Sequence, residues 1–307
     1  MSAVSGLGLL ESAALQAVTD VGGVSGAPYV KTSTALDAME QRHGIGARYL
    51  YPLLQDLVAP WRLHLPLLDG QGNFGSQYGD PAAEPQYTEI RLSPVGALAL
   101  AAERGEVGPV PLGIIEGSLY RGGPVPPFAP HAVLAALVNH APEAGPPVTP
   151  TGGTVSGKTA DLLAGEPVRL ALGCTILTGS DQLIITEVPL GVAVADVVRA
   201  VGDRVTALDF RRDRDRYADD LPPGQYPEPE LPTPVVDIRD STNLRVGVRI
   251  ELVLRPGADP ALARAWVESI WPVTITVDCR LPAPIQQILT EWDRGDGTGL
   301  TALSDLV

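Results

Sequence analysis

The sequence predicts an α/β (α+β) protein of two successive domains, and three observations carry that expectation. Apolar residues recur at helical spacing to about residue 140, whereas alternation takes over from Val168. Between the two regimes, Ala141 to Pro150 is proline-rich and polar, the composition of a linker. With 307 residues, 45% of them hydrophobic, the chain is long enough to bury a core in each part. The expected divisions are residues 1–148, 149–285 and a helix start with tail at 286–307.

In the first part, Leu7, Leu10, Ala14, Leu15 and Val18 place one amphipathic helix between Ser5 and Gly22-Gly23. Thr32 or Ser33 serves as N-cap for a second helix, which passes through Leu36, Met39 and Glu40 and ends near His43-Gly44. A third runs from Tyr49 to Val58 and stops before Pro60. Gly70, Gly72, Gly75 and Gly79 then mark a loop whose backbone turns sharply and approaches a ligand closely. Tyr87 ends that loop, and Ile90, Leu92, Val95, Leu98, Leu100 and Ala101 read as a helix interrupted at Pro94. Val110 to Ser118 reads as a short buried strand, and a helix from Ala132 to Asn139 closes the domain.

In the second part, Val168 to Leu172 and Leu183 to Val188 read as strands joined by a Thr178-Gly-Ser turn. Val192 to Val201 is helical. Further strands are expected at Val235 to Asp240, Leu244 to Leu254 and Val273 to Val277, with a helix from Pro260 to Glu268 between the last two.

Composition narrows the function. Net charge is −14, and lysine occurs only at Lys31 and Lys158, so the average field repels a phosphate backbone. Duplex affinity should therefore be weak and steeply salt-dependent. No run reaches the roughly 18 apolar residues of a membrane span, and Met1-Ser-Ala-Val-Ser lacks the basic start of a secretory signal, so a cytoplasmic protein is expected. Cys174 and Cys279 each lie in apolar surroundings without a ligand-spaced partner, as buried thiols do. Gly152-Gly-Thr-Val-Ser-Gly-Lys-Thr159 matches the phosphate-loop pattern formally, but it lacks the preceding strand and following helix that such a loop requires. Phe210-Arg-Arg-Asp-Arg-Asp-Arg-Tyr217 reads as a solvated loop whose Asp213 and Asp215 offset its arginines. His43 reads as a capped or solvated residue.

One stretch is far more specific. Asp69-Gly-Gln-Gly-Asn-Phe-Gly-Ser76, Gly79-Asp80 and Tyr87-Thr-Glu-Ile-Arg-Leu92 stand in an order and spacing that resembles the tyrosine-bearing segment of the A subunit of bacterial type IIA topoisomerases, gyrase and topoisomerase IV. The resemblance implies a winged-helix domain followed by a tower-like α+β domain, with no coiled-coil exit gate or C-terminal DNA-wrapping domain within this length. It implies Tyr87 as the DNA-cleaving nucleophile and a B-type ATPase/Toprim partner that carries the Mg²⁺ ion. It also implies a homodimer through the winged-helix face, here expected as a weaker dimer or a monomer because the second dimer contact of the family is missing. DNA contacts are expected from Gln86 and from arginines such as Arg48, Arg62, Arg91 and Arg121. Phe128 stands where the family has a wedge between base pairs; packing beneath its own proline loop is the other reading.

The chain departs from the pattern at chemically telling places. A basic helix face is replaced by Glu11, Ser12 and Ala13, and a His-Pro-His-Gly-Asp motif reads His43-Gly44-Ile45-Gly46-Ala47. The arginine expected before the nucleophile is Gln86, which donates a neutral hydrogen bond but no charge. Losing such a donor to a transition state typically costs about 2–4 kcal/mol. Three readings stand: an A-type subunit that cleaves DNA through Tyr87, a non-cleaving paralogue that acts as a regulatory or decoy module, and a structural protein that has lost DNA.

Overall fold

The computed structural model describes residues 5–117, 126–139, 145–157, 168–188, 191–216, 233–243, 245–270, 274–279 and 297–307. It is a mixed α+β structure of two compact units, Met1–Ala171 with Thr276–Val307 and Leu172–Ile275.

The first unit opens with α1 (Leu9–Asp20), α2 (Thr32–His43) and α3 (Ala47–Val58). The buried face of α1 is Ala14, Leu15, Ala17 and Val18, whereas Leu10, expected on that face, is 45% exposed. Glu11 is buried, and its carboxylate accepts the Gly8 backbone N–H, so it caps its own helix instead of facing a ligand. Lys31, not Thr32 or Ser33, occupies the N-cap of α2; the Thr32 hydroxyl is engaged elsewhere. Gly44 ends α2 in the left-handed conformation that carries no Cβ penalty for glycine.

Strands β1 (Val30–Lys31), β2 (Leu68–Gln71) and β3 (Glu89–Leu92) form an antiparallel sheet in the order β1-β3-β2. Here the helix expected after Tyr87 is corrected. Ile90 and Leu92 point inward at a two-residue period, and α4 (Pro94–Glu103) begins only beyond them. Ser93 is the reason: its hydroxyl accepts from Gly96 N and donates to Pro66 O, while Pro94 at the first helical position lacks an N–H that a strand would need. The strand expected at 110–118 is also corrected, since Leu112–Ile115 forms a single helical turn, α5, started by Pro111.

Helix α6 (Pro130–Val138) and α9 (Thr298–Ser304) also belong to the unit, the latter without a counterpart in the sequence expectation. Leu300 and Leu303 of α9 join the same core as Leu15, Leu36, Leu54, Ile90 and Phe128. Gly299 lets α9 approach closely, because a Cβ there would collide with the Gly108 carbonyl oxygen. The Thr298 hydroxyl accepts the Gly108 N–H at 2.8 Å.

Strand β4 (Thr154–Gly157) lies beside β5 (Val168–Gly173), with β10 (Thr274–Cys279) on the other edge of β5. Half of the formal phosphate-loop pattern is thus extended strand, which a phosphate-cradling loop is not. Lys158 lies outside the described residues. In the second unit, β6 (Thr175–Thr178), β7 (Gln182–Glu187), β9 (Ile250–Leu254) and β8 (Val235–Asp240) form an antiparallel sheet in that order. The Thr178-Gly-Ser turn joins β7 to β6, a strand not expected from the sequence, and β9 starts at Ile250 rather than Leu244. Helix α7 spans Val194–Arg216, so the arginine-rich segment to Arg216 is helical and not a loop. Helix α8 covers Pro260–Ile270. Pro282 to Trp292 lies outside the described residues.

Candidate functional site

The glycine-rich stretch is the loop of the β2–β3 hairpin. Asp69 faces Arg91 and Gln71 faces Glu89 across the ladder, so the chain that leaves at Gly72 must return at Thr88. The loop is internally bonded. Asn73 accepts Gly75 N through its side chain at 2.9 Å and Ala83 N through its backbone at 2.9 Å, and its amide donates to Pro81 O at 3.2 Å. Gly72 sits at φ 109°, and a Cβ there would lie 3.1 Å from the Tyr87 carbonyl oxygen. Only glycine fits this crossing without strain.

Tyr87 ends a single 3₁₀ turn, Pro85–Tyr87, closed by Tyr87 N donating to Glu84 O at 2.9 Å. Its side chain is 70% exposed. Directly after it, Thr88 is fully buried, its hydroxyl donating to Thr32 Oγ1 at 2.9 Å while Thr32 N donates to Thr88 O at 3.1 Å. Tyr51 of α3 adds a third tie, donating its hydroxyl to Ala83 O at 2.6 Å with Thr88 Oγ1 3.5 Å away. A hydrogen-bonded base thus presents an exposed phenol at the end of the loop.

The electrostatics are less favourable. Gln86 is exposed and brings no charge. Arg91 lies on β3, where its guanidinium pairs with Asp69 at 3.1 Å, donates to Ala27 O at 2.9 Å and lies 4.4 Å from the Tyr29 ring centre. Strand register also places Lys31, a cation that sequence reasoning missed, opposite Glu89, two residues beyond Tyr87, and the two pair at 2.8 Å. Nothing in sequence spacing points to it, because the link runs through strand pairing. Arg62 pairs with Asp56 at 3.4 Å. Arg48 stacks 4.5 Å from the Tyr49 ring centre. Arg121 lies outside the described residues.

Phe128 is 0% exposed, a core residue whose N–H donates to Ile115 O at 3.0 Å. His43 is exposed at the end of α2. A separate buried cluster involves Glu116, whose carboxylate accepts the N–H groups of His64 and Leu65 at 2.7 Å each. His64 Nε2 bonds Val148 O at 2.7 Å, which fixes the proton on that nitrogen, and burial pushes its pKa down. Among the described residues no group of three or more His, Cys, Asp or Glu side chains is placed to hold a metal ion, and no helix is long and apolar enough to cross a membrane.

No family model matches the chain. Among curated proteins it is similar to the DNA gyrase A subunit of Haloquadratum walsbyi, with 25% identity over 264 residues, covering 74% of this chain and 28% of the relative. The DNA gyrase A subunit of Kosmotoga olearia is 26% identical over 267 residues, 73% of this chain and 30% of the relative. That of Granulibacter bethesdensis is 49% identical over 67 residues, 22% of this chain and 7% of the relative. The chain therefore spans less than a third of the length of these relatives.

Proposed function

We propose that this chain, a divergent gyrase-A-like protein, binds DNA in the manner of a topoisomerase A-type subunit, with Tyr87 as its nucleophile and a B-type partner for charge stabilisation. The winged-helix and tower-like arrangement belongs to the same proposal; α2, α3 and the β1-β3-β2 sheet support the first, and the β6-β7-β9-β8 sheet with α7 and α8 the second. A homodimer through the first unit and a place in the cytoplasm belong to it as well.

The observation that carries the proposal is the exposed phenol of Tyr87 beside a fully buried, three-way bonded Thr88. In the reaction the Tyr87 oxygen attacks a backbone phosphorus, the phosphorus–oxygen bond to the neighbouring sugar breaks, and that sugar leaves as a hydroxyl. The reverse attack rejoins the strand. The phenolic proton must leave and the phosphate must be neutralised, yet Lys31 and Arg91 are already paired with carboxylates. A divalent ion such as Mg²⁺, held by the partner, would supply that positive charge.

The test is to incubate the chain with a B-type subunit, Mg²⁺ and DNA, then denature and look for protein covalently attached to DNA. Adducts from the wild type that vanish in Tyr87→Phe are expected. Their absence from the wild type would favour the second reading, a non-cleaving regulatory or decoy module, which the carboxylate pairing of Lys31 and Arg91 supports.

A further inference from the structure

We infer that the outer edge of β8, in the second unit, pairs with the same edge of a second copy of this chain, antiparallel and centred on Ile238. The inference goes beyond the DNA reading above and does not rest on it.

The backbone sets the geometry. In the sheet order β6-β7-β9-β8 the two edges are β6 and β8. The β6 edge is covered by a side chain, since Arg264 of α8 donates to Ile176 O at 3.5 Å. The β8 edge differs. Ser241 N donates to Arg249 O and Arg239 stands opposite Glu251, so the two-residue alternation turns the backbone groups of Arg239 and Ser241 toward β9. Those of Ile238 and Asp240 therefore point away from it. No described strand lies on that side, and α7 packs on the face of β8, where a Cβ on Gly202 would lie 3.8 Å from Ile238 Cγ2. Such an edge is a template for a further strand.

Side chains decide which strand fits. Asp237 and Arg239 stand two apart on one face, their side chains 48% and 62% exposed, and pair with each other at 2.8 Å. Charged edges ordinarily keep strands apart, but here the signs alternate, so the edge is complementary to itself. With Ile238 opposite its own copy, those two residues exchange both N–H···O bonds, and Asp237 meets Arg239 of the other copy at each flanking position, where facing side chains come closest. Sliding one strand two residues either way keeps outward groups facing each other but sets Arg239 against Arg239, or Asp237 against Asp237. The charges thus select a single register. The bulge between Val235 and Asp237 is confined to the start of the strand and leaves residues 237–240 regular. At net charge −14 one copy repels another, so a short edge holds only where it brings opposite charges together. A two-fold pairing of this kind is isologous, the same patch serving on both copies.

The test is sedimentation equilibrium of the full chain over a range of concentrations, with circular dichroism to check that each variant is folded. Asp237→Arg and Arg239→Asp each oppose like charges at both flanking positions and should weaken self-association about tenfold or more. The double variant Asp237→Arg/Arg239→Asp restores opposite pairs and should associate as the wild type does. Hydrogen exchange should show the Ile238 and Asp240 amides better protected at high than at low protein concentration, in the wild type and the double variant only. A wild type that does not associate, or a folded double variant that stays as weak as the singles, overturns the pairing. Assembly undiminished in both single variants also overturns it and leaves only the first-unit dimer proposed above.

Discussion

Among single residues, the hairpin loop depends most on one glycine. Gly72 combines φ 109° with a 3.1 Å approach of any added Cβ to the Tyr87 carbonyl oxygen. Gly72→Ala should therefore destabilise the protein by about 1–3 kcal/mol and displace Tyr87, and a denaturant melt together with adduct yield would show both losses. His64 sets a pH dependence. Burial lowers its pKa in the folded state, so the native protein binds fewer protons there than the unfolded chain. Its contribution is present above the unfolded value of about 6.5 and declines as pH falls through that value toward the folded one. His64→Gln, which keeps a donor for Val148 O, should flatten the fall in thermal midpoint between about pH 7 and pH 5. An unchanged slope would show that another group governs it.

Between elements, the Thr32–Thr88–Tyr51 cluster ties α2, α3 and the end of the tyrosine loop together. Thr88→Val preserves shape but leaves the buried Thr32 hydroxyl without that donor, so a cost of about 1–3 kcal/mol is expected in equilibrium unfolding. A loss below a few tenths would show that the cluster does not fix the loop. None of this cluster was legible in sequence, because its members meet only after folding. What was legible had a local cause: α2, α3 and α6 follow their apolar period and the Gly44 stop, and the β7 and β8 strands follow alternation. The misreading at Ile90 and Leu92 arises because a two-residue strand period continues into the helical period of α4, and four residues fit either template. Ser93 and Pro94 hold the distinguishing signal, a capping hydroxyl followed by a proline. Within the site, Tyr87 was legible from its motif, whereas the pairing of Arg91 with Asp69 and of Lys31 with Glu89 required strand register.

Across the protein, charge pairing changes what composition predicts for DNA. Composition alone gives weak binding with steep salt dependence, but that slope scales with the number of phosphates neutralised. With five of six described first-unit cations in ion pairs, few are free to displace counterions. Exposed pairs are individually weak, about 0–1 kcal/mol, so DNA could compete for them, at the cost of leaving carboxylates facing phosphate. The expected plot of log affinity against log salt is shallow, equivalent to about one or two phosphates. A slope of several would mean that the pairs open on binding.

On this reading Tyr87 is well presented but lacks a cation of its own, with Gln86 standing where charge is needed. The direct measurement is the rate of covalent protein–DNA adduct formation with a B-type partner and Mg²⁺, comparing wild type with Gln86→Arg and using Tyr87→Phe as the blank. Supplying the missing charge should raise the rate by about 10²- to 10³-fold, the usual effect of one preorganised transition-state donor. A wild type that already forms adducts as fast as Gln86→Arg would contradict it.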